Sequence, residues 1–201
     1  MPLIDAIKRG DTLEQIREQG LINEDGCLEA DDLHKTPLHC AIERKDGDLA
    51  HALIEQCPDL VHKPTDIGET PLMYAAQYQL EGIAQLLLEH QADPNVQSSF
   101  GHVALFAAAT FLQLSIIKLL VTAGAHLDVH ANMGLQVMHF VAEGIVEQGN
   151  GWEVVEYLHE QEGVNPNPAD DTGMHPATTL YNFDTDYGDF YMQTIGAMHG
   201  S

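Results

Sequence analysis

Apolar positions in this chain come in two kinds of block that alternate along its length. One kind is a short phrase of small and aliphatic residues opened by a polar residue: Thr36-Pro37-Leu38-His39-Cys40-Ala41, then Thr70-Pro71-Leu72-Met73-Tyr74-Ala75-Ala76. Weaker copies start at Val103, Gln136 and His175, so the starting positions step by 34, 33, 33 and 39 residues. The other kind is an apolar stripe at helical spacing: Ile83, Leu86, Leu87 and Leu88, then Ile116, Ile117, Leu119 and Leu120, then Val154, Val155, Tyr157 and Leu158. Phrase and stripe together predict two short helices per period. Pro37 and Pro71 fit the first helical turn, where a missing N–H costs nothing.

Turn signals separate the periods. Gly68, Gly101, Gly134 and Gly173 each stand two residues ahead of a phrase, where a tight hairpin turn needs positive φ. Ten residues before the last three of these lie Gln91-Ala92-Asp93-Pro94-Asn95, Gly124-Ala125-His126-Leu127-Asp128 and Gly163-Val164-Asn165-Pro166-Asn167. A period near 33 residues marks a repeat protein whose unit cannot bury its apolar face alone. Over about residues 1 to 180 the chain resembles the ankyrin repeat family, whose pattern reads Thr-Pro-Leu-His-x-Ala-Ala, a Leu-Leu helix, Gly-Ala-Asp-x-Asn and Asp-x-x-Gly. The resemblance implies an all-α repeat solenoid with short β-hairpin loops, capped at both ends.

We read 1–201 as one such domain, with repeats starting near 32, 66, 99, 132 and 171. Residues 1–31 form an N-terminal helical cap and connector, and 183–201 a C-terminal cap or tail. Pro2 to Ile7, with Leu13 and Ile16, aligns with the first helix pair. The fourth repeat carries six extra residues near Glu147 to Gly151, expected to lengthen its first helix or the turn after it. Phe190 to Met198 is expected to close the array, with Tyr191, Ile195 and Met198 facing inward.

Charge changes the functional picture. Thirty-one acidic residues stand against eight basic ones, a formal net charge of −23, and residues 64–201 hold seventeen acids and a single base, Lys118. Such a chain repels nucleic-acid phosphate and anionic membrane surfaces and favours a basic partner; the plainer alternative is solubility alone. No apolar run reaches the roughly 18 residues of a membrane span. The start lacks a signal peptide's basic and apolar regions, and three cysteines without paired metal spacing read as reduced thiols. The expectation is therefore cytoplasmic, with export by specialised secretion still compatible.

Candidate chemistry is sparse. His126-x-Asp128-x-His130 has a compact ligand spacing, but it occupies the turn-forming stretch of the repeat, so we expect no metal and no cofactor there. His39 and His139 stand in the phrase's own His position, where a ring bonded to neighbouring backbone would tie adjacent repeats. Neither a phosphate loop nor an activated nucleophile is visible, and the expected function is non-catalytic.

The surface is the remaining candidate. Residues just before the turn glycines, or their equivalents, are Leu33, Ile67, Phe100, Met133 and Thr172, and four of these five are apolar. The family resemblance implies binding through hairpin tips and the exposed side of the first helices, which places Tyr74, Tyr78, Phe111 and Phe140 on a groove wall. Asp66 and Glu69 border it. Burial of Tyr74 and Phe140 between repeats is the competing reading. The sequence thus predicts an interaction module for a basic protein, acting as adaptor, inhibitor or chaperone; a bacterial effector aimed at a host protein, or an acidic mimic of DNA, are the alternatives. It does not fix the oligomeric state.

Overall fold

The computed structural model describes residues 2–198, in which thirteen α-helices account for nearly all regular structure and no residue is in a strand. They run α1 (Pro2–Arg9), α2 (Leu13–Glu18), α3 (Glu24–Cys27), α4 (Pro37–Glu43), α5 (Gly47–Gln56), α6 (Pro71–Gln77), α7 (Glu81–Glu89), α8 (Ala104–Thr110), α9 (Leu114–Thr122), α10 (Val137–Gln148), α11 (Trp152–His159), α12 (Pro176–Phe183) and α13 (Thr185–Met198). The chain divides into two compact units, residues 1–99 and 100–201.

In the first unit, α1 packs on α4 and α4 on α6, while α5 packs on α7. Each phrase starts its helix where expected: Pro37 and Pro71 occupy the first turn, and the Thr70 hydroxyl accepts the Met73 N–H. The predicted N-terminal pair is α1 and α2, with Thr12 and Gln15 exchanging hydrogen bonds in a capping box. Glu29, from the connector, accepts the N–H groups of Leu3 and Ile4 and so caps α1 with a negative charge at its positive end.

That connector also holds a correction. Cys27, at the end of α3, is disulfide-bonded to Cys57, which follows α5, with Cα atoms 5.9 Å apart; only Cys40 is a free, buried thiol. The odd cysteine count therefore does not carry the inference to a reducing compartment. A chain turn outside the repeat pattern brings these residues together, which spacing alone does not reveal.

In the second unit, α8, α10 and α12 pack in succession, and α11 and α12 both meet α13. The inserted residues lengthen a first helix: α10 has 12 residues where α8 has 7. Gly149 ends it with φ 72°, a left-handed cap that a side chain would strain. The closing helix begins at Thr185, earlier than expected, and buries Tyr191 and Ile195. The side chain of Met198 lies outside the described residues.

The stripes are core, with a refinement. Ile83 and Leu87, then Ile116, Ile117 and Leu120, are buried, whereas Leu86, Leu88 and Leu119 are half-buried because they sit on the flank of the apolar arc. Replacing Leu120 by Ala is expected to cost about 2–5 kcal/mol in denaturant titration, and Leu119→Ala clearly less; equal losses would show that the arc is misplaced. Reducing the disulfide, which closes a loop with a sequence separation of 30, is expected to lower stability by about 3–4 kcal/mol on the loop-entropy relation. An unfolding curve that dithiothreitol leaves unchanged would contradict a structural role for this bond.

Candidate partner-binding surface

Each repeat opens with a tight turn closed by its own backbone. Thr65 N–H donates to Glu69 O and Gly68 N–H to Thr65 O; in the second unit Ala131 N–H donates to Leu135 O and Gly134 N–H to Ala131 O. His34, with φ 54°, takes the glycine's place in the first turn. Gly101 shows why glycine is otherwise used. Its φ is +74°, and a Cβ there would come 2.9 Å from the Ala131 Cα of the next turn.

The carbonyl of each apolar tip residue accepts a hydrogen bond from the following turn. Asp66 N–H donates to Leu33 O at 3.2 Å and Ser99 N–H to Ile67 O at 2.8 Å. In the second unit Asn132 N–H donates to Phe100 O and Asp171 N–H to Met133 O, both at 2.9 Å. The tip backbones are thus committed inward while their side chains point to solvent: Leu33 is 60% exposed, Ile67 41%, Phe100 51% and Met133 58%. Thr172, in the fifth tip, is exposed as well.

A second set of bonds lies behind the tips. Thr36 N–H donates to His39 Nδ1 at 3.2 Å, which fixes that nitrogen as an acceptor and places the proton on Nε2, 3.3 Å from the Glu69 carbonyl of the next repeat. His139 repeats the arrangement, accepting from Gln136 N–H and facing Met174 O at 3.2 Å. Both histidines tie adjacent repeats, as their position in the phrase suggests. Burial holds the His39 pKa at about 4, against an ordinary 6.5.

The groove-wall aromatics divide by burial. Tyr74 and Phe140 are buried: Tyr74 meets the edge of His39 with centroids 4.9 Å apart, and Phe140 stacks on Phe106 at 4.5 Å. They support the surface from below, and burial between repeats is the reading that fits them. Tyr78 and Phe111 are half-buried. In the first unit the wall is polar. Lys35 lies 5.5 Å from the Tyr74 ring centroid and donates to both Glu43 carboxylate oxygens, while the Tyr78 hydroxyl reaches Glu43 at 3.5 Å. Desolvation would lower the Lys35 pKa, but the Glu43 bonds outweigh it and hold the ammonium above its usual range; burial pushes the Tyr74 phenol up to about 12.

Lys35 escaped the sequence reading because it precedes the phrase by one residue and carries no pattern of its own. The bordering acids are also engaged: Asp66 Oδ1 lies 2.7 Å from His34 Nδ1, and Glu69 uses its backbone N–H on Thr65 and its carbonyl on His39. Among the described residues, no three His, Cys, Asp or Glu side chains gather as metal ligands, His126, Asp128 and His130 included. No helix among them is long and apolar enough to cross a membrane.

Residues 3–98 match the family model for ankyrin repeats in three copies. The chain is 32% identical over 103 residues, 51% of its length, to neurogenic locus notch homolog protein 1 of Xenopus tropicalis, covering 4% of that protein. It is 33% identical over 92 residues to the BTB/POZ domain and ankyrin repeat-containing protein NPR5 of Oryza sativa subsp. japonica, which is 45% of this chain and 18% of that protein. The chain therefore spans only a small part of these relatives. A solved ankyrin repeat domain from Acinetobacter baumannii shares the fold, with TM-score 0.77 and 24% identity over 97% of both chains.

The buried imidazole generates a pH prediction. His39 must stay neutral in the fold but titrates normally once unfolded, so its stabilisation is complete above about pH 6.5 and is lost as pH falls toward 4. The loss from this one group approaches about 3 kcal/mol at the acid end. Denaturant titrations across this window are expected to show the decline, and a His39→Gln variant to flatten it. A wild-type stability that is level from pH 7 to 4.5 would contradict the neutral, Nε2-protonated ring.

Proposed function

The chain carries ankyrin repeats, and from that premise we propose that it is a non-catalytic module that binds a basic protein segment through its hairpin tips. Ankyrin repeats are in general protein–protein interaction modules, and the chain's acidic balance supports the basic character of the partner. The observation that carries the reading is the exposure of apolar side chains at consecutive tips whose backbones are already satisfied. Leu33 and Ile67 in one unit, and Phe100 and Met133 in the other, offer apolar surface where a solvated turn would prefer polar residues. Because each tip is pinned by hydrogen bonds to the next turn, little order is lost when a partner settles on it. Tyr78 and Phe111, which follow α6 and α8, are half-buried and serve as groove anchors, while Asp66 and Glu69 act at the border by steering charge.

Tip anchoring and charge steering separate kinetically. A variant with Leu33, Ile67, Phe100 and Met133 all replaced by Ser is used beside the wild type to capture proteins from the source cell, and binding of the differentially captured protein is then timed. Phe100→Ala alone is expected to weaken binding by about 1–3 kcal/mol, mainly through faster dissociation. Changing Asp66 and Glu69 to Lys is expected to slow association at low salt and to matter little at high salt. A captured partner without excess positive charge, or one that the four-fold Ser variant still binds normally, would sink the reading.

A further inference from the structure

The end of the second unit carries a surface that the repeat pattern does not call for. Four aromatic rings follow one another across α11, α12 and α13: Phe183 lies 5.9 Å from Tyr187, Tyr187 stacks 5.9 Å from Trp152, and Trp152 meets Phe190 edge-on at 4.5 Å. Phe183 is 53% exposed and Phe190 47%, and Met192 and Tyr181 beside them are exposed too. Tyr187 is held in place by its hydroxyl, which donates to Gly149 O at 3.2 Å, and Tyr181 by its bond to Asp189 at 2.7 Å. Tyr187, at the middle of the series, is therefore ordered before anything binds.

Charge says what can cover them. Asp184, Asp186 and Asp189 lie on or next to the helices that carry the rings, and Glu153 follows Trp152 in α11; all four are exposed. After Lys118 the sequence contains twelve Asp and Glu and no Lys or Arg, and Lys118 itself lies 5.3 Å from the Tyr157 ring centroid. The face thus joins aromatic rings to carboxylates with no cation of its own sequence neighbourhood between them. Elsewhere the same chain shows what that combination holds, since Lys35 sits over Tyr74 while bonding Glu43. A second copy, with net charge −23, repels this face, as do phosphate-bearing surfaces.

We propose that the ring series Phe183–Tyr187–Trp152–Phe190 is a docking surface for an arginine-bearing peptide segment, separate from the hairpin tips. Guanidinium planes stack on the rings and their N–H groups reach the adjacent carboxylates. This surface does not depend on the tip reading, and its test uses different residues.

Trp152 is the only tryptophan in the chain, so its emission reports on this face alone. An acetylated (Arg-Gly)4 peptide is titrated into the full chain at about 150 mM salt, a concentration that screens exposed charge beyond about 8 Å, with a (Gln-Gly)4 peptide as the uncharged comparison. The expected result is a saturable change in emission with the arginine peptide only. Calorimetric affinity is expected to fall at least ten-fold in the Phe183→Ser/Phe190→Ser variant, which keeps every charge, and to be unchanged in Leu28→Ser, which alters an exposed apolar residue outside both surfaces. Circular dichroism confirms that the double variant folds; if it does not, Phe183→Ser alone, at the most exposed ring, takes its place. Equal affinity in the charge-preserving variant would reduce the effect to diffuse attraction and overturn the proposal. So would an absent response, or an emission change that follows protein concentration without peptide, which would identify a second copy as the occupant.

Discussion

A seven-residue helix such as α4, α6 or α8 is far too short to persist alone in water, and its neighbours must supply both the apolar cover and the missing hydrogen-bond partners. The bonds between successive turns meet the second need. Every apolar tip residue gives its carbonyl to the next turn's N–H, and His39 and His139 reach one repeat forward to a backbone carbonyl. Since these bonds run through backbone and, at two of the links, through an imidazole, they fix register without spending the exposed side chains. That division of labour leaves Leu33, Ile67, Phe100 and Met133 at the surface. It also explains the glycines: at Gly101 the next turn approaches too closely for a Cβ.

Much of this was legible in the sequence because it depends on local chemistry repeated at a fixed step. Pro37 and Pro71 announce helix starts, the glycines announce turns, and the insertion near Glu147 to Gly151 appears as a longer α10 closed by Gly149. What was not legible depends on contacts without a period. The Cys27–Cys57 bond joins a connector outside the pattern to a turn inside it. Lys35 acquires its role only when Glu43, a helix away, folds back toward it. For Tyr74 and Phe140 the sequence offered two readings, because a residue one place past the His position lies on the boundary between core and surface; His39 and Phe106 decide it by occupying the space behind each ring. The four-ring series failed to register for a related reason. Its members come from three helices, and Trp152 stands beside the insertion, where the alignment of repeats breaks.

The charge distribution acquires a structural meaning when the cations are located. Lys8 pairs with Asp31 and Arg9 with Asp11, and Lys35 and Lys118 each lie over a tyrosine ring. The Asp31 carboxylate accepts from Lys8 and from two backbone N–H groups, and these bonds hold its pKa below the usual carboxylate range despite desolvation. Basic residues are thus concentrated toward the start of the chain, where they assemble the first turns, and they are absent from its last eighty residues.

Carboxylates without cations repel one another, and that repulsion opposes the compact state. A surface kept in this condition is stabilised by whatever positive charge arrives from outside, because binding then relieves repulsion as well as adding attraction. Apolar tips alone would make an indiscriminate surface, and acids alone only a solvated one. On the function proposed above the two are complementary: the apolar tips would hold a segment that the acids select, and like-charged or phosphate-bearing competitors would be turned away before they reach the apolar side chains.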